Sequence, residues 1–273
     1  MSALGPDPHT DEPWLSDLLV ALRFYARLPI PRLRGEKNPY RLPDFDRITP
    51  ILPFAALIIA LPSVLVLIAA DLFFTPLVSA ALALATHVLV TGAFHEDGLA
   101  DTFDGLGGGH DQESRLQIMQ DSRLGTFGAC ALLLSLSVRI TILAALIDLE
   151  GGPETGLLWL CAAPLSRLCG LFPMMMLAPA KPDGKAAAVG KASRASFAVG
   201  LALSCGIALI LPLGLDSDPI QIGLAIVGAM LAPLPLIAQA QKLIGGQTGD
   251  VAGACQQVSE IVFLLVLSAT ISA

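Results

Sequence analysis

The sequence predicts an all-α fold: a polytopic bundle of about six to seven transmembrane helices with a short amphipathic helix at its amino end. Three observations carry this. Hydrophobic residues make up 54 % of the 273 even with glycine left out, whereas a soluble domain holds roughly 45–50 % with glycine counted in. Charged residues are only 14 %, and the mean hydropathy is +0.71. The apolar residues also gather into runs of about 20, the length a helix needs to cross hydrocarbon. Sixteen basic and twenty-three acidic residues are too few to clothe a water-exposed surface of this size. So apolar a chain is not intrinsically disordered. The net charge of −7 speaks against nucleic acid, whose partners present a basic face.

Met1–Glu12 is acidic and proline-bearing, without a basic stretch ahead of an apolar core, so it does not read as a signal peptide. Trp14–Leu28 is too short and too polar to span. Its Leu15, Leu18, Leu19, Leu22 and Tyr25 share one helical face, which suits an interfacial helix on the cytoplasmic leaflet or, equally, a helix packed against the bundle. The spans follow as Ile51–Ala70, Pro76–Phe94, Gly128–Leu149, Leu157–Ala178, Phe197–Leu215, Ile220–Ala240 and Val258–Ala273. Pro53, Pro62, Pro164, Pro173, Pro212, Pro233 and Pro235 fall in or near these runs. Prolines are tolerated there because neighbouring helices satisfy the freed carbonyls, and they are expected to kink the spans.

Charge placement orients the bundle. Arg23, Arg27, Arg32, Arg34, Lys37, Arg41 and Arg47 precede the first span. Arg115 and Arg123 follow the second, Lys181, Lys185, Lys191 and Arg194 follow the fourth, and Lys242 follows the sixth. The opposite hairpins hold only acids: Asp71, then Asp148, Glu150 and Glu154, then Asp216 and Asp218. By the positive-inside rule the amino terminus and the long loops face the cytoplasm. The expected organisation is one integral membrane domain over residues 1–273, with a cytoplasmic or interfacial segment at 1–50 and a cytoplasmic acidic loop at 95–127. Arg139, Arg167 and Glu260 fall inside spans, where charge is costly and marks function by default. The five cysteines, odd in number and without a C-x-x-C spacing, read as small hydrophobes.

The polar exception is Phe94-His95-Glu96-Asp97-Gly98-Leu99-Ala100-Asp101-Thr102-Phe103-Asp104-Gly105. In a helix, Asp101 lies about 40° from Asp97 and Asp104 about 20° to its other side. Three carboxylates on one arc repel one another, and a hard divalent cation, Mg²⁺ or else Mn²⁺, relieves that repulsion. A solvated acidic helix end is the plainer reading. Gly107-Gly108-Gly109 and Asp121-Ser122-Arg123-Leu124-Gly125-Thr126, in the same loop, weaken it. His95 points about 160° from the arc, which favours a structural partner and leaves a general-base role open. A second constellation, Gly245-Gly246-Gln247-Thr248-Gly249-Asp250-Val251-Ala252-Gly253, lacks a Walker ending. Its Gly246–Thr248 backbone suits phosphate oxygens and Asp250 a metal, although Gly249 and Gly253 equally suit helix packing.

Clustered acids with arginines at a membrane boundary suit transfer of a phosphate-bearing group. Asp97-Gly98 with Ala100 resembles the opening of the CDP-alcohol phosphotransferase motif, but that family has arginine where Asp101 stands. Over most of its length the chain resembles the cobalamin synthase (adenosylcobinamide-GDP ribazoletransferase) family. The resemblance begins at Phe24-Tyr25-Ala26-Arg27-Leu28-Pro29-Ile30-Pro31, with Ala26 in place of threonine, and continues through His95–Gly105. It then runs through Leu116-Gln117-Ile118-Met119-Gln120-Asp121-Ser122-Arg123-Leu124-Gly125-Thr126-Phe127-Gly128 and ends at Gly246-Gln247-Thr248-Gly249-Asp250 with Gly253-Ala254.

The resemblance implies a Mg²⁺-dependent transferase of cobalamin biosynthesis in the bacterial cytoplasmic (inner) membrane. It would join adenosylcobinamide-GDP to α-ribazole or α-ribazole 5′-phosphate, releasing GMP. Asp97, Asp101, Asp104 and Asp250 would hold the metal. Arg27, Arg123 and Arg167, with Gly246 and Thr248, would bind phosphate. Asp97, Asp101 or His95 would serve catalysis. Partners would be the two small molecules and the lipid bilayer, with a homo-oligomer or pathway enzymes left open. The competing readings are a phospholipid phosphotransferase of the CDP-alcohol type and, further off, a membrane transporter.

Overall fold

The computed structural model describes residues 14–32, 38–182, 184, 189–215 and 218–269. Met1–Glu12, Arg34, Lys37, Lys185, Asp216 and the end of the last expected span (270–273) lie outside the described residues. Helices form everything regular except one isolated parallel bridge, Pro179 with Gln247. Six helical stretches are long and apolar enough to cross a membrane: Leu52–Asp71, Thr126–Glu150, Gly152–Met176, Arg194–Gly214, Pro219–Ile244 and Gly249–Ser268. Large apolar side chains cover their outside, among them Leu65, Leu133, Leu134, Ile210 and Val227. Charged and amide groups are buried inside, including Arg139, Gln256, Gln257 and Glu260. A surface of leucine around a polar interior suits lipid and not water. The chain is an integral membrane protein.

Helix α1 (Trp14–Tyr25) covers most of the amphipathic stretch read from the sequence. It packs on the bundle, burying Val20, Ala21, Leu22 and Tyr25 in a cluster with Phe45, Ile48, Leu52, Ala55 and Ile59. Asp17 is buried beside them because two guanidinium groups meet it, Arg41 at 2.8 Å and Arg47 at 2.9 Å. A short α2 (Phe45–Ile48), capped by Asp44, leads into α3 (Leu52–Asp71), which packs against the helices on either side of the next hairpins.

The second expected span is the largest departure. Helix α4 (Pro76–Thr91) stops after 16 residues, and α5 (Phe94–Gly108) leaves it at 87°. Gly92 and Ala93 make the corner with φ of 64° and 57°, and their N–H groups close onto Leu89 and Val88 carbonyls. The left-handed region costs a residue with a Cβ about 1–2 kcal/mol, so Ala93 is held there by its surroundings. The arginine-bearing extended segment after α1 crosses this corner. Arg27 N–H donates to Val90 O at 2.7 Å, and its side chain fills the place a Gly92 Cβ would take. The acidic helix is therefore turned 87° away from α4 instead of continuing it in line.

A short α6 (Gln112–Ile118) precedes α7 (Thr126–Glu150) and α8 (Gly152–Cys169), which turns at Gly170–Leu171 into α9 (Phe172–Met176). Then come α10 (Arg194–Ile210) with a 3₁₀ turn to Gly214, α11 (Pro219–Leu231), α12 (Leu234–Ile244) and α13 (Gly249–Ser268). The sixth expected span is thus two helices broken next to Pro233. The last span begins nine residues earlier than Val258, because Gln256, Gln257 and Glu260 face the protein interior and not lipid. Helix α13 sits centrally, packed on α5, α7, α8 and α11.

Candidate active site

The site forms where α5 crosses α13. A Cβ on Gly98 would lie 3.0 Å from Asp250 O and 3.4 Å from Gly253 Cα, so the two backbones touch. Glycine at the crossing allows this approach. Asp97 and Asp101, flanking Gly98, thereby come to the same cavity as Asp250, about 150 residues away in sequence. The cavity measures about 800 Å³. Asp121, Ser122 and Arg123 wall it from the loop ahead of α7, and Lys181 from the segment after α9. Gln247, Thr248 and Gly249 wall it from the start of α13. Thr248 accepts from Val251 N–H at 3.2 Å and caps that helix, whose positive end suits an anion.

Burial and the charges of Asp97, Asp250 and Asp104 push the Asp101 carboxyl up to about 7. Among the described residues no three acid, histidine or cysteine side chains stand close enough together to grip one ion. Mg²⁺ usually takes one or two carboxylates and completes its shell with water and phosphate. Hard oxygen donors around a cavity, one of them destabilised as an anion by the others, fit such an ion. Arg123 is exposed and holds Asp121 in a fork, through Nε at 3.0 Å and Nη2 at 2.5 Å.

Below the cavity lies a buried ionic network. Arg139 Nη1 donates to Glu96 Oε1 at 2.8 Å, and its Nη2 donates to Glu260 Oε1 at 2.7 Å. Gln257 donates to Glu96 at 2.9 Å and Gln256 to Glu260 at 3.1 Å. Arg167 is close by, with Nη1 2.7 Å from His95 Nε2 and its guanidinium 4.7 Å above the Tyr25 ring. Two glutamates and two arginines balance in formal charge, which is what a low-dielectric interior demands.

The family model of CobS, cobalamin-5-phosphate synthase, matches residues 17–268. Relatives named adenosylcobinamide-GDP ribazoletransferase include that of Azorhizobium caulinodans, 43 % identical over 92 % of this chain and 94 % of the relative. That of Xanthobacter autotrophicus is 43 % identical over 91 % and 94 %, and that of Bradyrhizobium diazoefficiens 42 % identical over 97 % of both. The chain belongs to the cobalamin-5-phosphate synthase family. No solved structure matches it.

The match to the cobalamin-5-phosphate synthase family spans every wall of the cavity, and the expected site residues divide in two. Asp97, Asp101, Asp250, Arg123 and Thr248 line the cavity together. Five others, expected to serve the same site, lie outside this lining. Asp104 is buried, and its two oxygens accept from Gly125 N–H and Gly128 N–H, both at 2.8 Å, so it anchors the start of α7 instead of facing a metal. His95 is stacked on Tyr25 and engaged by Arg167, away from the cavity and unavailable as a base there. Arg167 is buried with it and is not part of the cavity lining. Arg27 is exposed over the α4–α5 corner, next to cavity-lining Ala93 but outside the lining. Gly246 serves packing: a Cβ there would collide with Ala178 O. Glu96 and Lys181 also line the cavity, though the sequence does not mark either as a site residue. The intramembrane Arg139 and Glu260 were the signal that Glu96 needed a partner. Lys181 carried no local signal.

Proposed function

We propose that this protein is an adenosylcobinamide-GDP ribazoletransferase, working with Mg²⁺ on the cytoplasmic face of a bacterial inner membrane. The observation that carries it is one cavity, walled by Asp97, Asp101 and Asp250 with Arg123 and the α13 amino end, in a chain of this family. The family match also favours this reading over a CDP-alcohol phosphotransferase or a transporter. In the reaction a ribose hydroxyl of the acceptor, one that both α-ribazole and its 5′-phosphate keep free, attacks the phosphorus carried by adenosylcobinamide. A new P–O bond forms, the pyrophosphate P–O bond breaks, and GMP leaves.

One or two of the carboxylates of Asp97, Asp101 and Asp250 would hold Mg²⁺, its shell completed by water and phosphate, and the bound ion would neutralise pyrophosphate charge. Arg123 supplies a planar donor pair to phosphate oxygens, exchanging part of its fork with Asp121 for substrate. The N–H groups at the α13 start orient the same oxygens. With His95 buried against Arg167, the proton of the attacking hydroxyl passes to a carboxylate lining the cavity. The cytoplasmic placement rests on Arg115, Arg123, Lys181, Lys191, Arg194 and Lys242 at the cavity end, against Asp71, Asp148, Glu150, Glu154 and Asp218 at the other.

The test supplies membranes containing the protein with adenosylcobinamide-GDP and α-ribazole. Cobalamin and GMP are expected with Mg²⁺, and neither with EDTA. Absence of product at any Mg²⁺ concentration would sink the reaction. Turnover and Mg²⁺ dependence that both persist in Asp97→Asn and in Asp101→Asn would remove the metal assignment alone.

A further inference from the structure

Among the described residues the cavity's lining holds more acids than bases. Its acids among the described residues are Glu96, Asp97, Asp101, Asp121 and Asp250, and its bases are Arg123 and Lys181. Glu96 is neutralised by Arg139 from below, while Arg123 is committed to Asp121. The Lys181 side chain, half-buried at the lining, makes no hydrogen bond or ion pair to a described residue. An ammonium kept beside several carboxylates yet unpaired with them is available to an anion arriving from solution.

The backbone shows that this placement is built. The segment before Lys181 is pinned to the start of α13 by a two-point clasp. Gln247 N–H donates to Ala178 O at 2.9 Å, and Ala180 N–H donates to Gln247 O at 2.9 Å. Gly246 lets the two segments close, since a Cβ there would lie 2.8 Å from Ala180 N and closer still to Ala178 O. Gln247 itself is buried. Lys181 therefore leaves a fixed point one residue beyond the clasp. It shares a wall with Thr248 and Gly249, where helix N–H groups favour negative charge.

We propose that Lys181 binds a phosphate of the nucleotide portion of the substrate, as a point-charge donor complementing Arg123 and the α13 amino end. This deepens the reading above and rests on it. The chemistry recognised is a nucleoside diphosphate or its monophosphate product. Uncharged α-ribazole offers an ammonium no comparable partner, so with that acceptor Lys181 distinguishes the two substrates.

The experiment uses the full chain in nanodiscs, as wild type, Lys181→Ala, Lys181→Met and Lys181→Arg. Binding of GDP with Mg²⁺ and of GMP is measured by calorimetry, and the KM for each substrate by turnover. A charge-assisted hydrogen bond to phosphate corresponds to about a ten- to hundredfold effect on binding. Lys181→Ala and Lys181→Met are therefore expected to weaken GDP, GMP and adenosylcobinamide-GDP by that factor. The KM for α-ribazole should hold, and Lys181→Arg should recover most of the loss. Unchanged nucleotide affinity in Ala and Met, a rise confined to the α-ribazole KM, or an arginine variant as weak as alanine would each overturn the inference. The binding arm separates the two proposals. If GDP binding depends on Lys181 but the wild type makes no cobalamin, the reaction fails and the Lys181 assignment stands.

Discussion

Placing Asp250 against Asp97 and Asp101 depends on the touching backbones at Gly98, so a single methyl group there should cost activity more than stability. In Gly98→Ala the new Cβ would meet Asp250 O at 3.0 Å and Asp250 Cα at 3.2 Å. Both neighbours are backbone and cannot rotate aside, so α5 and α13 must part by a few tenths of an ångström. Against this, alanine improves helix propensity by about 0.8–1.0 kcal/mol over glycine, while overpacking typically costs about 1–3 kcal/mol. The net destabilisation is therefore about 0–2 kcal/mol. The displacement falls on the carboxylates themselves, where a misplacement of about 1 Å can cost about a hundredfold in rate. A loss of about tenfold in kcat, with a raised Mg²⁺ requirement, is expected. Gly253→Ala is the matched control, because its Cβ would lie 3.5 Å from Gly98 Cα and His95 Cα, an ordinary contact. Both variants, reconstituted in nanodiscs, are assayed for cobalamin formation across a Mg²⁺ titration and for thermal unfolding. Wild-type turnover in Gly98→Ala, or equal losses in the two variants, would refute the reasoning.

Two further predictions follow from buried charge. Arg139→Met strands Glu96 and Glu260 in the interior, and breaking a buried pair costs about 3–5 kcal/mol. Thermal unfolding should report that loss, and adding Glu96→Gln with Glu260→Gln should recover part of it. Asp104→Asn exchanges a carboxylate that receives two backbone N–H bonds for an amide able to accept only one. A loss of about 1.5–3 kcal/mol in unfolding free energy is expected, while the Mg²⁺ concentration for half-maximal activity stays at the wild-type value. A large rise in that concentration would return Asp104 to the metal.

The membrane class, the spans and the acidic cluster were legible because each rests on local pattern: run length, composition and helical spacing. The same locality explains the misses. Helical spacing puts Asp104 on the arc of Asp97 and Asp101. What removes it from the site is a pair of N–H groups at Gly125 and Gly128, more than twenty residues on. The last span was begun late because glutamines and a glutamate are costly against lipid, a penalty that disappears once Arg139 and Ser166 meet them inside. The second span was drawn straight through Gly92 because apolar residues continue to Phe94, and hydropathy carries no information about a left-handed corner.

By itself the sequence determined that this chain is a helical membrane protein. It also determined that its few charges are segregated along the chain and that Asp97, Asp101, Asp250 and Arg123 are candidates for one site. Those conclusions depend on residue type and order, which apolar burial and electrostatics translate directly. Only the tertiary structure decided which polar groups face the cavity and which are spent inside. It gave Asp104 to a helix cap, His95 to Arg167 and Glu96 to Arg139, and it brought Lys181 to the lining. A hydrogen bond satisfies a polar group wherever its partner stands in the chain, and those partners are set by helix crossings that sequence spacing does not record.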